Sequence, residues 1–293
     1  MTRPILVTGG AGQLATALSV AASVHRVGRP DFDFDRPETI AACFGATNPS
    51  LVVNAAAYTA VDAAESDADA AYRANRDGPA ELARLCAGAG VPLIHVSTDY
   101  VFDGAKTSAY VETDPTGPQG VYGATKLAGE QAVLASGARA IILRTAWVYG
   151  PTGKNFLLTM LNLGKTRDKL TVVADQHGCP TAAADLASAI LAIAARIGQD
   201  GWQDRYGGVY HAAGTGETSW CDFARAIFQE AQRHGAKVPV VEPIPTSAYP
   251  TPAKRPANSR LDCGKLESVF GVRLPAWRDS TARTVDAVFA AAG

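Results

Sequence analysis

Short apolar runs punctuate the first half of the chain: Ile5-Leu6-Val7, Leu51-Val52-Val53, Leu93-Ile94-His95-Val96 and Ala140-Ile141-Ile142-Leu143. They lack the in-out alternation of a half-exposed strand, as expected where both faces of a parallel sheet are covered. Helical stretches separate them. An Ala-rich one runs from Gly12 to about Ser23, a short one ends near Ala46, and a long one spans roughly Ala68 to Ala89. Another opens at Tyr122. His25 to Arg29 reads as an additional short strand. Alternating strands and helices predict an α/β fold, a Rossmann-type doubly wound parallel sheet. After Gly150 the alternation loosens. Asn155 to Leu163 reads as a helix, Leu170 to Val173 as a strand and Asp175 to Thr181 as a turn-rich loop. Ala182 to Ile197 returns to a helix and Gly208 to His211 to a strand. Ser219 followed by Asp222 has the form of a helix-starting box before Phe223. The proline-rich stretch from Pro243 to Pro256 predicts irregular chain.

Composition adds exclusions. The 293 residues are 47% hydrophobic and 19% charged, with a formal net charge of -1, which gives no general attraction to nucleic acid or anionic membranes. The five cysteines (Cys43, Cys86, Cys179, Cys221, Cys263) are scattered and never form C-x-x-C, which fits a reducing cytoplasm better than a disulfide framework or a zinc ribbon. Histidines are equally dispersed, so no metal is expected. The chain opens straight into a strand, without the pattern of a signal peptide. The most apolar helical run, Leu186 to Ile197, is too short to span a bilayer. A cytoplasmic protein is the expectation.

The first strand is followed by Gly9-Gly10-Ala11-Gly12-Gln13-Leu14-Ala15. Strand, glycine turn and helix in that order are the context of a dinucleotide fingerprint. Gly9 permits the tight turn, Gly12 lets a pyrophosphate approach the backbone, and Ala15 is small enough for helix-sheet packing. The helix start then offers N–H donors to phosphate. The second strand ends without an acidic residue for the adenosine ribose. Arg29 stands there instead, which points toward the 2′-phosphate of NADPH while leaving NADH open. These features divide the chain into a dinucleotide-binding domain, 1–150 with 182–213 returning to it, and a smaller, interleaved C-terminal substrate lobe, 151–181 and 214–293.

Tyr122 and Lys126 lie four apart at a helix start, so their β-carbons share one face about 5–6 Å apart. A phenol loses its proton near pH ~10, and a neighbouring ammonium lowers that value. Such a pair suits protonation of a carbonyl oxygen that is gaining charge. Thr98 and Asp99 fall at the carboxyl end of the fourth strand, the edge where open α/β sheets bind ligands. Strand alternation turns Thr98 and Ser97 to opposite faces.

Several motifs carry a resemblance. They are G-x-x-G-Q-L from Gly9, V-V-N-A-A-A-Y-T-A-V-D-x-A-E from Val52, S-T-D-Y-V-F-D-G from Ser97 and V-Y-G-x-T-K-L-A-G-E from Val121. R-T-A-W-V-Y-G from Arg144, D-Q-x-G-x-P-T from Asp175 and T-S-A-Y-P-T-P-A-x-R-P-x-N-S-x-L from Thr246 complete them. The chain resembles the extended short-chain dehydrogenase/reductase superfamily, and within it the reductases of dTDP-linked 4-keto-6-deoxyhexoses. The resemblance implies catalytic roles for Thr98, Tyr122 and Lys126. Tyr122 would be the proton donor, Lys126 its partner and a ribose contact, and Thr98 the hydroxyl that holds the substrate oxygen. Besides Gly9 and Arg29, read above from the turn and the second strand, it implies cofactor contacts at Gly12, Gln13, Leu14, Asp33, Phe34, Ala56, Ala57, Tyr58 and Thr59, with Tyr122 and Lys126. Asp99, Tyr100 and Trp147 would meet the sugar nucleotide. Arg255, presented at the end of the proline-rich stretch, would meet its pyrophosphate. Some members bridge a dimer through metal-bound glutamates; Ala184 and the Ala-rich C-terminus offer none, so a monomer or weak homodimer is expected.

Two other readings compete. A nucleotide-sugar epimerase or dehydratase would use the same scaffold, but Tyr100 follows Asp99 where a dehydratase would show Glu. A non-catalytic regulatory subunit would have no need of Thr98, Tyr122 and Lys126 together.

Overall fold

The computed structural model describes residues 3–21 and 23–291. The domain limits at 1 and 293 and the Ala22 part of the first helical stretch lie outside them. Six parallel strands form the central sheet: β1 (Ile5–Thr8), β2 (Val24–Arg26), β3 (Leu51–Asn54), β4 (Leu93–Thr98), β5 (Ala140–Thr145) and β6 (Gly208–His211). Their spatial order is β6-β5-β4-β3-β1-β2. The chain moves outward from β1 to β2, then crosses back to β3 on the other side. The crevice therefore opens beyond the carboxyl ends of β1 and β3, where the winding direction reverses.

Side-chain alternation along these strands divides the core in two. Val7, Val53, Ile141 and Leu143 face a layer made by α1 (Gln13–Leu18) and Ala183–Asp200, where Leu186, Ile190, Ile193 and Ile197 repeat at helical spacing. Leu6, Val52 and Ile142 face the opposite layer. It contains α2 (Pro37–Thr47), α3 (Gly78–Ala89) and α4 (Val121–Ala135), with Ile40, Leu82, Cys86 and Val133 buried. Full burial of a Leu or Ile side chain contributes about 1.5–3 kcal/mol, so these layers hold the strand ends, and the site on them, in fixed positions.

Several expectations change. The first helix stops at Leu18 instead of running to Ser23. The long helix is interrupted by a π-helical turn, Arg73–Asp77, between Ala68–Tyr72 and α3. The proline-rich stretch begins as a strand, Val240–Ile244, parallel to Lys169–Val173. Its ladder bonds run through Val240 N–H to Asp168 O (2.8 Å) and Ala174 N–H to Ile244 O (2.9 Å). Pro243 thus falls where the amide faces outward and its missing N–H costs no bond.

A second core in the later half joins Phe156–Gly164, Trp220–Gln232 and Trp277–Ala290 through Leu157, Phe223, Phe228 and Trp277. Ser219 caps the middle helix, accepting from Asp222 N–H at 3.1 Å. The segment 264–274 departs from the expected lobe boundaries. Leu266, Phe270 and Leu274 pack in the first core against Tyr206 and Tyr210, so this piece joins the main sheet.

Candidate active site

The glycine turn is built by close approach. Gly9 has φ +111° and Gly10 φ +52°, and a β-carbon on Gly9 would meet the Ala55 carbonyl oxygen at 3.0 Å. A β-carbon on Gly28 would lie 2.5 Å from Gly10 Cα, so a second glycine is needed where β2 exits beside the turn. No side chain caps the start of α1, which leaves its first N–H groups for an anion. Beside the turn lies a cavity of about 620 Å³ lined by Gly10, Ala11, Arg26, Gly28, Arg29 and Cys43, among others. A narrow backbone cradle next to a cavity with two guanidinium groups fits the adenosine end of a nicotinamide dinucleotide.

The other implied cofactor positions surround this cradle in different ways. Gln13 accepts a hydrogen bond from Asn155 Nδ2 at 2.8 Å, which ties the turn to the second lobe. Leu14 is buried in the first core, so only its backbone faces the turn. Arg29 is exposed and held by two carboxylates, Asp33 at 2.9 Å and Asp35 at 2.6 Å. Burial works to raise Asp33, but the Asp35 N–H and the guanidinium groups of Arg29 and Arg36 outweigh it and hold the carboxyl below its usual range. Phe34 lies against Gly78 of α3, where a β-carbon would strike its ring at 2.2 Å. Ala56, Ala57, Tyr58 and Thr59 leave the end of β3. Ala56 N–H donates to Thr8 Oγ1 (3.2 Å) and to Asn54 Oδ1 (3.3 Å).

Thr98, Asp99, Tyr100 and Tyr122 come together at the end of β4. The Thr98 hydroxyl donates to Asp99 Oδ1 at 2.9 Å and accepts from Tyr100 N–H at 3.2 Å. The rings of Tyr100 and Tyr122 meet edge to face at 5.4 Å. This needs α4 to run tight under Tyr100: a β-carbon on Gly123 would fall 2.2 Å from the Tyr100 carbonyl oxygen. Ser97 points the other way, donating to Glu130 Oε1 at 2.5 Å. The strand alternation that separates the two hydroxyls is thus present.

The Tyr122–Lys126 relationship differs from the simple pair. Burial and the nearby Asp99 push the Tyr122 phenol up, with only the Thr98 hydroxyl easing its ionisation. Lys126 is 2% exposed and gives its ammonium to the Val96 carbonyl at 2.8 Å. Burial brings it down to about 8, against the pull of Glu130. Helical spacing set the two residues on one face, but depth sets their chemistry.

Trp147 adopts φ +49°, and its indole stacks on Trp220 at 3.5 Å between ring centroids. Gly178 makes room for it, since a β-carbon there would lie 2.4 Å from Trp147 Cε2. Arg255 is paired with Asp62 at 2.7 Å and its charge bears on Tyr100, while Lys254 reaches Gln119. Arg255 therefore stands at the rim of the Tyr100–Tyr122 site with its guanidinium already engaged.

Sequence reasoning assigned no role to several polar residues. Asn75, in the π-helical turn, accepts from Tyr58 N–H (2.8 Å) and donates to Tyr58 O (3.1 Å) and Thr125 Oγ1 (3.0 Å). It joins the β3 exit to α4. Glu130 receives Arg144 through Nε at 2.9 Å and Nη2 at 2.6 Å, both residues being buried. Thr8, Asn54 and His95 form a buried chain across β1, β3 and β4. The Asn75 signal was one Asn inside an otherwise helical run; Glu130 was visible as the last residue of its motif. Among the described residues no group of three His, Cys, Asp or Glu is placed to hold a metal ion. No helix among them is long and apolar enough to cross a membrane.

A parallel sheet with a glycine cradle at its winding reversal, and Thr, Tyr and Lys at the next strand end, defines a nicotinamide-dependent oxidoreductase of the extended short-chain type. The family profile described as RmlD substrate binding domain matches residues 2–289. The dTDP-4-dehydrorhamnose reductase of Sinorhizobium fredii is 48% identical over 96% of both chains, and that of Escherichia coli K12 is 40% identical over 97% of this chain and 98% of its own. The crystal structure of the Clostridium acetobutylicum dTDP-4-dehydrorhamnose reductase superposes with a TM-score of 0.89 at 38% identity, covering 98% of this chain and 99% of that one. The Bacillus anthracis enzyme, solved in complex with NADP, also gives 0.89, at 33% identity over 98% of this chain and 100% of its own. The chain belongs to the dTDP-4-dehydrorhamnose reductase family.

Proposed function

We propose that this protein reduces the 4-keto group of dTDP-4-dehydro-L-rhamnose to give dTDP-L-rhamnose, using NADPH or NADH. The observation that carries this reading is the convergence of Thr98, Asp99 and Tyr122 at the end of β4, with Lys126 beneath them and the glycine cradle two strands away. The bound dihydronicotinamide would supply the hydride. Thr98 would hold the substrate oxygen, and Tyr122 would deliver the proton that the new alcohol needs. Lys126 would contact the cofactor ribose with its ammonium. Asp99, Tyr100 and Trp147 would line the sugar nucleotide, and Arg255 would leave Asp62 to meet pyrophosphate, for which its planar fork is suited.

The five cysteines are all free thiols, which supports a cytoplasmic setting. A monomer or weak homodimer remains the assembly we assign, because Ala184 and the C-terminal alanines lack acidic ligands for a metal bridge. The test is the absorbance of NADPH on adding dTDP-4-dehydro-L-rhamnose. One NADPH consumed per sugar supports the proposal, and no consumption of either NADPH or NADH contradicts it.

A further inference from the structure

The helix that carries Tyr122 has no cap of its own. α4 starts at Val121 after Gly120, whose backbone is extended (φ −150°, ψ 170°) and which has no side chain to turn onto the first N–H groups. The first intrahelical bond runs from Ala124 N–H to Gly120 O at 3.0 Å. The N–H groups of Val121, Tyr122 and Gly123 therefore have no acceptor inside the helix. The acceptor for the first of them comes from 56 residues earlier, where Glu65 Oε1 accepts from Val121 N–H at 2.9 Å. A carboxylate at that place also faces the positive end of the helix dipole. Gly120 is fitted to this contact: a β-carbon on it would lie 2.6 Å from Glu65 Oε1 and would meet only that carboxylate.

Glu65 is exposed, but the chain beside it is fixed. Ala64 is fully buried, and Asp62 accepts from Ala253 N–H at 3.1 Å and from Arg255 at 2.7 Å. Later turns of α4 have anchors of their own, Thr125 to Asn75, Lys126 to Val96 and Glu130 to Arg144. Glu65 serves the first turn, which carries Tyr122. Its loss frees that turn and leaves the rest of the helix in place.

We propose that Glu65 is a positioning residue for the reduction: by capping α4 it holds the Tyr122 hydroxyl where it can protonate the substrate oxygen. In this role it needs no contact with either ligand and transfers no proton. Displacing a catalytic group by about 1 Å can cost on the order of 10²-fold in rate. Fraying of this turn thus slows the chemical step, while ligand binding, made mostly by other elements, persists.

The inference rests on the reductase reading. Its test is single-turnover oxidation of the reduced nicotinamide that the parent uses, at saturating dTDP-4-dehydro-L-rhamnose. Affinities for that cofactor and for dTDP-L-rhamnose are titrated separately. Glu65→Ala removes the acceptor, and a rate loss between about 10-fold and about 10²-fold is expected, with both affinities unchanged. Glu65→Gln keeps an oxygen for Val121 N–H and should stay near the parent rate. A second rescue uses the same geometry. With the carboxylate gone, Gly120→Ser has room and gives the helix a hydroxyl cap, so Glu65→Ala combined with Gly120→Ser should recover most of the lost rate. General damage to the fold would not be repaired in this way.

A Glu65→Ala rate above about half of the parent's, against that expected loss, would overturn the inference. So would a loss carried by weaker binding, one that Glu65→Gln shares, or one that Gly120→Ser leaves in full. If Glu65→Ala does not fold, Gly120→Ala alone takes its place: the methyl displaces the carboxylate, the same rate loss is expected, and the parent rate would overturn the inference. A parent that turns over while Glu65→Ala matches it leaves the reductase reading standing. A parent that oxidises neither NADPH nor NADH fails that reading, and this inference with it.

Discussion

Lys126 gives its ammonium to the backbone carbonyl of Val96 at 2.8 Å, two residues before Thr98 on the same strand. This bond pins α4 to β4 directly beneath the Thr98 hydroxyl. It also means that the ammonium reaches the site from below, at a depth where its charge is costly. Burial brings it down to about 8. A base with a depressed value is charged below that pH and neutral above it. If the ammonium contacts the cofactor ribose, NADPH affinity falls as pH rises through about 8. Fluorescence titration of NADPH across that range checks this, and Lys126→Gln should show weaker binding with no such limb. A pH-independent parent affinity would remove the ribose contact.

Glu130 and Arg144 form a buried ion pair that also receives Ser97. Removing one partner leaves an uncompensated charge, at about 3–5 kcal/mol. Glu130→Ala should lower unfolding free energy by about that amount, measured by urea denaturation, while Ser97→Ala should cost only about 1 kcal/mol. Equal, small effects would mean that water reaches Arg144.

Much of this arrangement is legible in the chain. The unbroken apolar runs mark covered parallel strands, and the glycine spacing marks a turn where backbones touch, because Gly9 and Ala55 leave no room for a β-carbon. Spacing also set Tyr122 and Lys126 on one face. It could not set their ionisation, because periodicity reports direction and not depth. Burial reverses the expected shift at Tyr122. The π-helical turn at Asn75 was hidden because its residues carry ordinary helical character; only a partner 17 residues away, Tyr58, shows why the helix widens there. Pro243 misled for a related reason. Whether a proline interrupts a strand depends on which side of the ladder its nitrogen faces, and that follows from pairing with a distant segment.

Gly178 and Trp147 give a steric prediction. Gly178→Ala would place a methyl 2.4 Å from the indole and push it off Trp220. Overpacking of this kind costs about 1–3 kcal/mol. If Trp147 lines the sugar nucleotide, calorimetric titration should show weaker dTDP-L-rhamnose binding and unchanged NADPH binding. Equal losses for both ligands would place Trp147 in the general scaffold.

Arg255 supplies a test of the pyrophosphate contact. Arg255→Lys keeps a positive charge near Asp62 but loses the planar fork. Weaker dTDP-L-rhamnose binding with intact NADPH binding is expected. Unchanged sugar-nucleotide affinity would leave Arg255 as the structural partner of Asp62.

The proposed reduction depends most directly on Tyr122 as the group that protonates the substrate oxygen. Tyr122→Phe keeps the ring against Tyr100 and removes only the hydroxyl, so the fold and the cofactor cradle should persist. General acid catalysis contributes about 10²–10⁴-fold. The direct measurement is steady-state NADPH oxidation with dTDP-4-dehydro-L-rhamnose, parent against Tyr122→Phe, alongside NADPH affinity. A drop of that size in turnover is expected, with cofactor affinity little changed. A variant that keeps more than about half of the parent turnover, against that expected range, would contradict it.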